Sequence, residues 1–468
     1  MSQTYAQSAG GPIDGTPWRT ELAATLRLSW PLALANLLQM LTYAIDVMFI
    51  ARLGDEPLAA SGLAVSIFGI LIWTLSGITG VVSALIAAAL GRRAFAVREV
   101  RRSTRMALWL AVGLGLVATA VCWLGPAFMR LTGQEERIVL MAEGYLFLLS
   151  FACVPFLIAN VLRSFVSALG RPVFATSITA LGIFVNAAGN YAFVFGNWGA
   201  PALGLTGAAI ATIITAIFTV LAYVVAIQRD RMMRRYFIFG RLWRPEWQAL
   251  RDLIVIGTPV SLTIMAEGGL FSGAAFLMGR IGATELAGHL LALQVAALAF
   301  QVPFGVGQAA TIRVGFFYGA GDRDGMARAG WVAIVTGTGF MVLTASIMML
   351  APRLVLSIYV DVDAQRNAAM VGFALTYLYV AAAFQLFDGL QAVAVGALRG
   401  LQDTRIPMWI AIFSYWIPGF GLCFYLGFAT PLGGMGVWIG LAIGLVVAAA
   451  LLVWRWARRE QFVLTGSP

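Results

Sequence analysis

Apolar residues in this chain do not alternate with polar ones; they come in runs of about twenty or more, broken by short gaps rich in Arg and Gly. A helix that spans a bilayer needs about 20 apolar residues. In hydrocarbon every backbone group must be satisfied within the segment or in a closed barrel. Runs without period-two alternation predict helices. About twelve follow, at 27–50, 60–88, 106–128, 139–162, 173–197, 204–227, 253–279, 287–312, 328–350, 368–396, 406–428 and 433–455. No gap is long enough for an extramembrane domain.

Composition strengthens this reading. The chain is 60% hydrophobic and 11% charged, against about 25% charged in a soluble domain. Its formal charge of +10 sits between the apolar runs, which argues against a nucleic-acid surface. All 31 basic residues are Arg. Without Lys there is no Walker A loop, hence no ATP-driven pump within the chain, and no Schiff base. The one His, His289, cannot build a transition-metal site, and Cys122, Cys153 and Cys423 lie in apolar runs as packing residues. No paired His or Cys and no Ser–His arrangement is visible, so neither an enzyme nor a cofactor is expected. The first residues lack the apolar core of a signal peptide.

Alternate gaps differ in Arg content: 25 fall on the side that holds both termini, and six (Arg52, Arg130, Arg137, Arg280, Arg353 and Arg366) on the other. The positive-inside rule then puts both termini in the cytoplasm.

The chain also repeats itself. At a shift of 228, Pro31 meets Pro259, Arg52 meets Arg280, Gly54 meets Gly282, Gly77 meets Gly305 and Gly91 meets Gly319. At 229, "SALG" at 167 faces "GALR" at 396, and Gly204 and Gly207 face Gly433 and Gly436. Six spans per half place both halves the same way up, related by an axis along the membrane normal. The expected fold is an all-α integral membrane protein of about twelve helices in two pseudo-symmetric six-helix lobes around a central cavity. The divisions are a disordered cytoplasmic tail (1–24), an amino lobe (25–227), a basic cytoplasmic linker (228–251), a carboxy lobe (252–456) and a second tail (457–468).

Several spans carry polar stripes. Asn36, Gln39, Tyr43 and Asp46 share one face of the first; Asn186 and Asn190 stand one turn apart in the fifth; Thr263 precedes Glu267 by one turn in the seventh. Gln385, Asp388 and Gln391 share a face of the tenth. In the eighth, Gln294, Gln301 and Gln308 recur every seven residues, suited to interhelical contacts, with Gln294 also assigned to the cavity. A charge at the helix centre costs about 2.5–3.5 kcal/mol on insertion scales and marks function. With the Arg residues assigned to gaps, the interior charges are expected to be acidic only: Asp46, Glu267 and Asp388. Such groups can carry a proton, ligate Na⁺ together with neutral oxygens, or attract organic cations with aromatic help. Pro31, Pro155, Pro259, Pro303, Pro407 and Pro418 lie in or near spans and mark bends.

The stretches "LSWPLALANLLQMLTYAIDVMFIARLGDEPLAA" (28–60), "NAAGNYAFVFGNWGAPALGLTGAAIAT" (186–212), "PFGVGQAATIRVGFFYGAGD" (303–322) and "GALRGLQDTRIPM" (396–408) resemble the multidrug and toxic compound extrusion (MATE) family, NorM type. The resemblance covers about 25–456. It implies a monomeric antiporter in a bacterial inner membrane, exporting organic cations and amphipathic drugs in exchange for Na⁺ or H⁺. It implies an amino-lobe cation site at Asp46, Asn186, Asn190 and Thr212 with the Ala208 carbonyl nearby, and a carboxy-lobe site at Glu267 and Asp388. Many relatives carry Asp where Asn190 stands, and some carry Tyr where Phe384 stands; Phe384 offers a ring face only. A lipid-linked oligosaccharide flippase of the same superfamily is the alternative, disfavoured because its anionic substrate calls for a basic cavity.

Overall fold

The computed structural model describes residues 17–461. Within them every regular element is helical and there is no strand. The amino half comprises α1 (Pro17–Ala51), α2 (Asp55–Gly80), α3 (Val82–Arg92), α4 (Val97–Trp123), α5 (Gly125–Leu131), α6 (Glu136–Ser150), α7 (Cys153–Ala168), α8 (Pro172–Phe195) and α9 (Leu205–Arg229). A short α10 (Arg231–Arg234) leads to α11 (Trp247–Ile281), α12 (Ala283–Ala320), α13 (Arg323–Leu350), α14 (Pro352–Leu356), α15 (Ala368–Gly400), α16 (Arg405–Ser414), a π-helical turn (Tyr415–Phe420), α17 (Gly421–Phe428) and α18 (Gly434–Ala457). By length and apolarity, 11 of these runs can cross a membrane, and α6 with α7, meeting at 44°, makes a twelfth.

Each expected span overlaps one of these helices or bent pairs. The helices run further than the apolar windows: α1 starts at Pro17 and α12 ends at Ala320. Helices continue past these windows because apolarity reports only the part in hydrocarbon, while the backbone hydrogen bonds of a helix do not depend on it. Residues 17–24, expected in a disordered tail, therefore belong to α1. Glu21 there accepts two bonds from Arg313, Nε to Oε1 at 2.8 Å and Nη2 to Oε2 at 2.6 Å, with both side chains buried. The rest of that tail, and 462–468, lie outside the described residues.

Two compact units emerge. One holds the described residues up to Ala33 together with those from Leu262 onward; the other is Leu34–Ser261. The divisions fall inside α1 and α11, not in the linker expected at 228–251. Local packing explains why. In the first unit, Glu21 is held by Arg313, and Gly305 lies so close to the Ala33 backbone that a Cβ would clash. In the second, Ser261 Oγ donates to the Thr74 carbonyl at 2.5 Å, and Gly257 abuts Ile78 in the same way. Gly305 and Ala33 are the repeat partners of Gly77 and Ser261, so the two exchanges of helix segment are counterparts.

The repeat also shows in backbone geometry. Gly204 precedes α9 with φ 57° and ψ −127°, and Gly433 precedes α18 with φ 52° and ψ −127°. Only glycine takes this conformation without strain. Three residues on, Gly207 packs on the Phe193 carbonyl and Gly436 on that of Leu426, where any Cβ would collide.

Candidate functional site

In the unit 34–261, α1, α8 and α9 bring four polar side chains together. Asp46 Oδ1 accepts from Asn186 Nδ2 at 2.9 Å and from Asn190 Nδ2 at 2.7 Å. Thr212 Oγ1 lies 3.5 Å from Asp46 Oδ2 and 3.1 Å from the Ala208 carbonyl, its intrahelical acceptor. The two asparagines can both reach Asp46 because they stand one turn apart on α8; Asn190 Nδ2 also contacts Asn186 Oδ1 at 3.2 Å. Both are fully buried, and Asn190 Oδ1 has no hydrogen-bond partner. Asp46 is half-buried and, among the described residues, is in no ion pair. The cluster is thus a carboxylate held by two amide N–H donors, with a threonine hydroxyl and a backbone carbonyl close by.

The second unit holds a different arrangement. On α15, Asp388 is buried with its Oδ1 unpaired. One turn on, Gln391 donates to the hydroxyl of Tyr415, which opens the π-helical turn. Gln385 donates to Thr344 Oγ1 at 3.0 Å, leaving its own Oε1 unpaired. Glu267 on α11 is half-buried and interacts electrostatically with Asp388 and with Arg399, near the end of α15. Neither carboxylate comes within 4.0 Å of an Arg nitrogen among the described residues. The buried phenol of Tyr415 lies within reach of both charges.

Comparison with known proteins decides the family. The MatE family model matches twice, at residues 31–192 and 259–425. The chain belongs to the MatE family. The two matches start 228 positions apart, at Pro31 and Pro259, the first landmarks of the internal repeat. A probable multidrug resistance protein NorM from Mesorhizobium japonicum is 41% identical over 97% of this chain and 98% of its own length. The multidrug resistance protein NorM of Burkholderia vietnamiensis is 38% identical over 94% and 95% respectively. A crystal structure of MATE in complex with MaL6 superposes with a TM-score of 0.87 at 22% identity, covering 98% of this chain and 99% of that one, and supports the MatE fold alone.

The other residues proposed from the sequence divide in two. Asn36, Gln39 and Tyr43 share the α1 stripe with Asp46; Asn36 is buried, while Gln39 and Tyr43 are exposed. Gln294 is exposed on α12. Phe384 does not present its ring: it is buried with an edge-to-face contact to Trp438 at 5.4 Å, and His289 packs on the same indole. The expectation that Arg residues stay in the gaps, leaving only acidic charge inside, is corrected for this MatE chain. Arg163, Arg313 and Arg399 lie within α7, α12 and α15. Each stands near the end of an apolar run, so a hydropathy boundary assigns it to the adjoining gap, although the helix continues past it. Tyr415 was missed as well. The signal available was "SYWIPG", where Pro418 disturbs the helix that carries the tyrosine.

Proposed function

We propose that the protein is a secondary antiporter that exports organic cations and amphipathic drugs in exchange for Na⁺ or H⁺ by alternating access, without an enzymatic step or ATP. The observation that carries this reading is that three carboxylates within spans, Asp46, Glu267 and Asp388, are outside every ion pair of 4.0 Å or less among the described residues. Unpaired charge at such a depth is costly to keep and available to an exchanging cation. Membership in the MatE family and the multidrug resistance relatives support the same reading. A bacterial inner membrane, with both termini cytoplasmic, suits the Arg asymmetry of the gaps.

At the amino-half cluster, Asn186 and Asn190 hydrogen-bond the cation-free carboxylate through their amide N–H donors. Half a turn of each amide would exchange N–H for oxygen and, with Thr212 and the Ala208 carbonyl, offer an oxygen cage for Na⁺. In the carboxy half, Glu267 and Asp388 take up the proton or cation, and Arg399 supplies an internal counter-charge when both are empty. Moving one net positive charge inward through 100 mV is worth about 2.3 kcal/mol, so each net charge carried inward per drug exported adds about fiftyfold to the drug gradient that the cycle sustains.

The test is uptake of a fluorescent organic cation into inverted vesicles, driven in turn by a Na⁺ gradient and a pH gradient. Uptake with one of them identifies the coupling ion. No uptake with either, from vesicles shown to hold the protein, refutes the reading.

A further inference from the structure

Residues 235–246, which lead into α11, are not a loose strap. Tyr236 is buried edge-on against Phe165 of α7 at 5.9 Å. From α4, Arg105 Nη1 donates to the Arg241 carbonyl at 3.3 Å and Trp109 Nε1 to the Leu242 carbonyl at 2.7 Å. Glu246 donates its backbone N–H to Met106 Sδ at 3.2 Å, and its carboxylate holds Arg102 Nε at 2.6 Å. The backbone of 241–246 is thereby fixed as a bridge from α4 to the start of α11, all within the unit 34–261. These anchors use backbone and acid but leave guanidinium groups over. Arg241, Arg244 and Arg251 are exposed and, among the described residues, in no ion pair. Asp230 caps α10 and pairs with Arg171 at 3.7 Å. Beneath the bridge, Arg105 is buried and feels the like charges of Arg101, Arg241 and Arg244 against one acid, Glu246. Its Nε has no hydrogen-bond partner.

The two helices carry this charge into an apolar surface. On α11, Trp247, Arg251, Ile254 and Val255 fall at i, i+4, i+7 and i+8, so they share a face, and all four are exposed. Asp252 stands one position on from Arg251, off that face. On α4, Arg105, Trp109, Val112 and Leu116 share a face in the same way, the last three exposed. Each face passes from guanidinium and indole to bare aliphatic side chains about 10–15 Å further along. Tryptophan marks the membrane–water boundary, which puts the bridge at the level of lipid headgroups and the aliphatic stripes among acyl chains. A small soluble anion would use the guanidinium groups alone. Charge continuous with two apolar stripes fits a molecule that has both a phosphate and acyl chains.

We propose that the bridge 241–246, with α4 and α11 on either side, binds an anionic phospholipid of the leaflet it faces, the cytoplasmic one on the Arg asymmetry. Arg241 and Arg244 take the phosphate oxygens, to which the planar guanidinium fork is matched. Arg105 adds charge from below, and the acyl chains lie along Leu116 and Ile254. A zwitterionic lipid brings the same chains but no net charge, so the site selects the anionic one. The inference concerns a lipid rather than cargo and stands independently of export.

The test is lipid retention by the full-length protein in native mass spectrometry, from detergent holding equal amounts of phosphatidylglycerol and phosphatidylcholine. The wild type keeps phosphatidylglycerol in preference. Each guanidinium at an anionic headgroup adds about fivefold, so Arg241→Gln with Arg244→Gln lowers the preference about twenty-five-fold. Only the backbone of this pair carries printed anchors of the bridge, so the double variant keeps its fold, read as an unchanged thermal midpoint in detergent. Arg241→Lys with Arg244→Lys retains most of the preference. Arg229→Gln with Arg231→Gln removes the same charge from exposed positions outside the bridge and shifts the ratio by no more than about twofold, because distant charge is screened. Three results overturn the inference: equal retention of the two lipids by the wild type, an equal loss in the Arg229 and Arg231 pair, which makes the effect a diffuse field, or displacement of the lipid by water-soluble glycerophosphoglycerol at matched concentration, which makes the site one for free phosphate.

Discussion

The two carboxylate clusters solve the same problem, a negative charge inside a membrane, by different means. Around Asp46 the partners are neutral: two asparagine amides on Oδ1 and a threonine hydroxyl near Oδ2. Around Asp388 there is no donor to Oδ1, and the other influences are charges, Glu267 and, through it, Arg399. A carboxylate held by dipoles keeps its charge locally and can accept a cation without rearranging other charges. One that feels a second acid and, through it, a guanidinium titrates as part of a set rather than as a single site. On the export reading proposed above, the amino-half cluster serves as a binding cage and the carboxy-half cluster as a linked set of charges. The repeat explains the scaffolds but not this divergence: at a shift of 228, Asp46 corresponds to Ala274 and Glu267 to Gln39.

The contrast can be broken or sharpened in order of expected effect. Asp388→Asn or Glu267→Gln should bring gradient-driven dye uptake down to that of empty vesicles, because the linked set loses a member, while the protein still reaches the membrane. Asp46→Asn should be milder, about a tenfold loss, since its neighbours can re-pair with an amide at the cost of one charge-assisted contact. Equal residual uptake in the three variants would end the distinction. A purely structural charge should behave differently again. Glu21→Ala leaves Arg313 buried and unpaired, which costs about 3–5 kcal/mol of stability; thermal unfolding in detergent reads it, and the double change Glu21→Gln with Arg313→Met should recover most of it. Asn190→Asp adds a second carboxylate to the cage and should tighten cation dependence about tenfold, near 1.4 kcal/mol, seen as a shift in the Na⁺ concentration for half-maximal uptake. Thr212→Val removes only a 3.5 Å contact and should change that midpoint by no more than about twofold, a few tenths of a kcal/mol.

Spans, repeat and polar stripes were readable because each is periodic or local. Asp46, Asn186 and Asn190 stood out as polar residues at helical spacing in apolar runs, although that pattern alone does not say that they meet across 140 and 144 positions. What stayed hidden depends on where helices end and what lies far away in sequence. Arg163 and Arg399 read as gap residues because apolarity fades before the helix does. The pairing of Glu21 with Arg313, and the division of α1 and α11 between units, have no local signature at all. Phe384 was misread for a related reason: its helix face is visible in the sequence, but Trp438, which covers it, comes from another helix.

The embrace of Glu21 by Arg313 also bears on how the protein is made. The two residues are 292 positions apart, so at a synthesis rate of about 5–20 residues per second the acid emerges roughly 15–60 s before its guanidinium exists. During that interval the opening segment of the first helix has no native seat, and the lipid surface, an insertion factor or the nascent chain must shelter its charge. The opening turns of α1 are therefore fastened only once the chain has been made as far as α12.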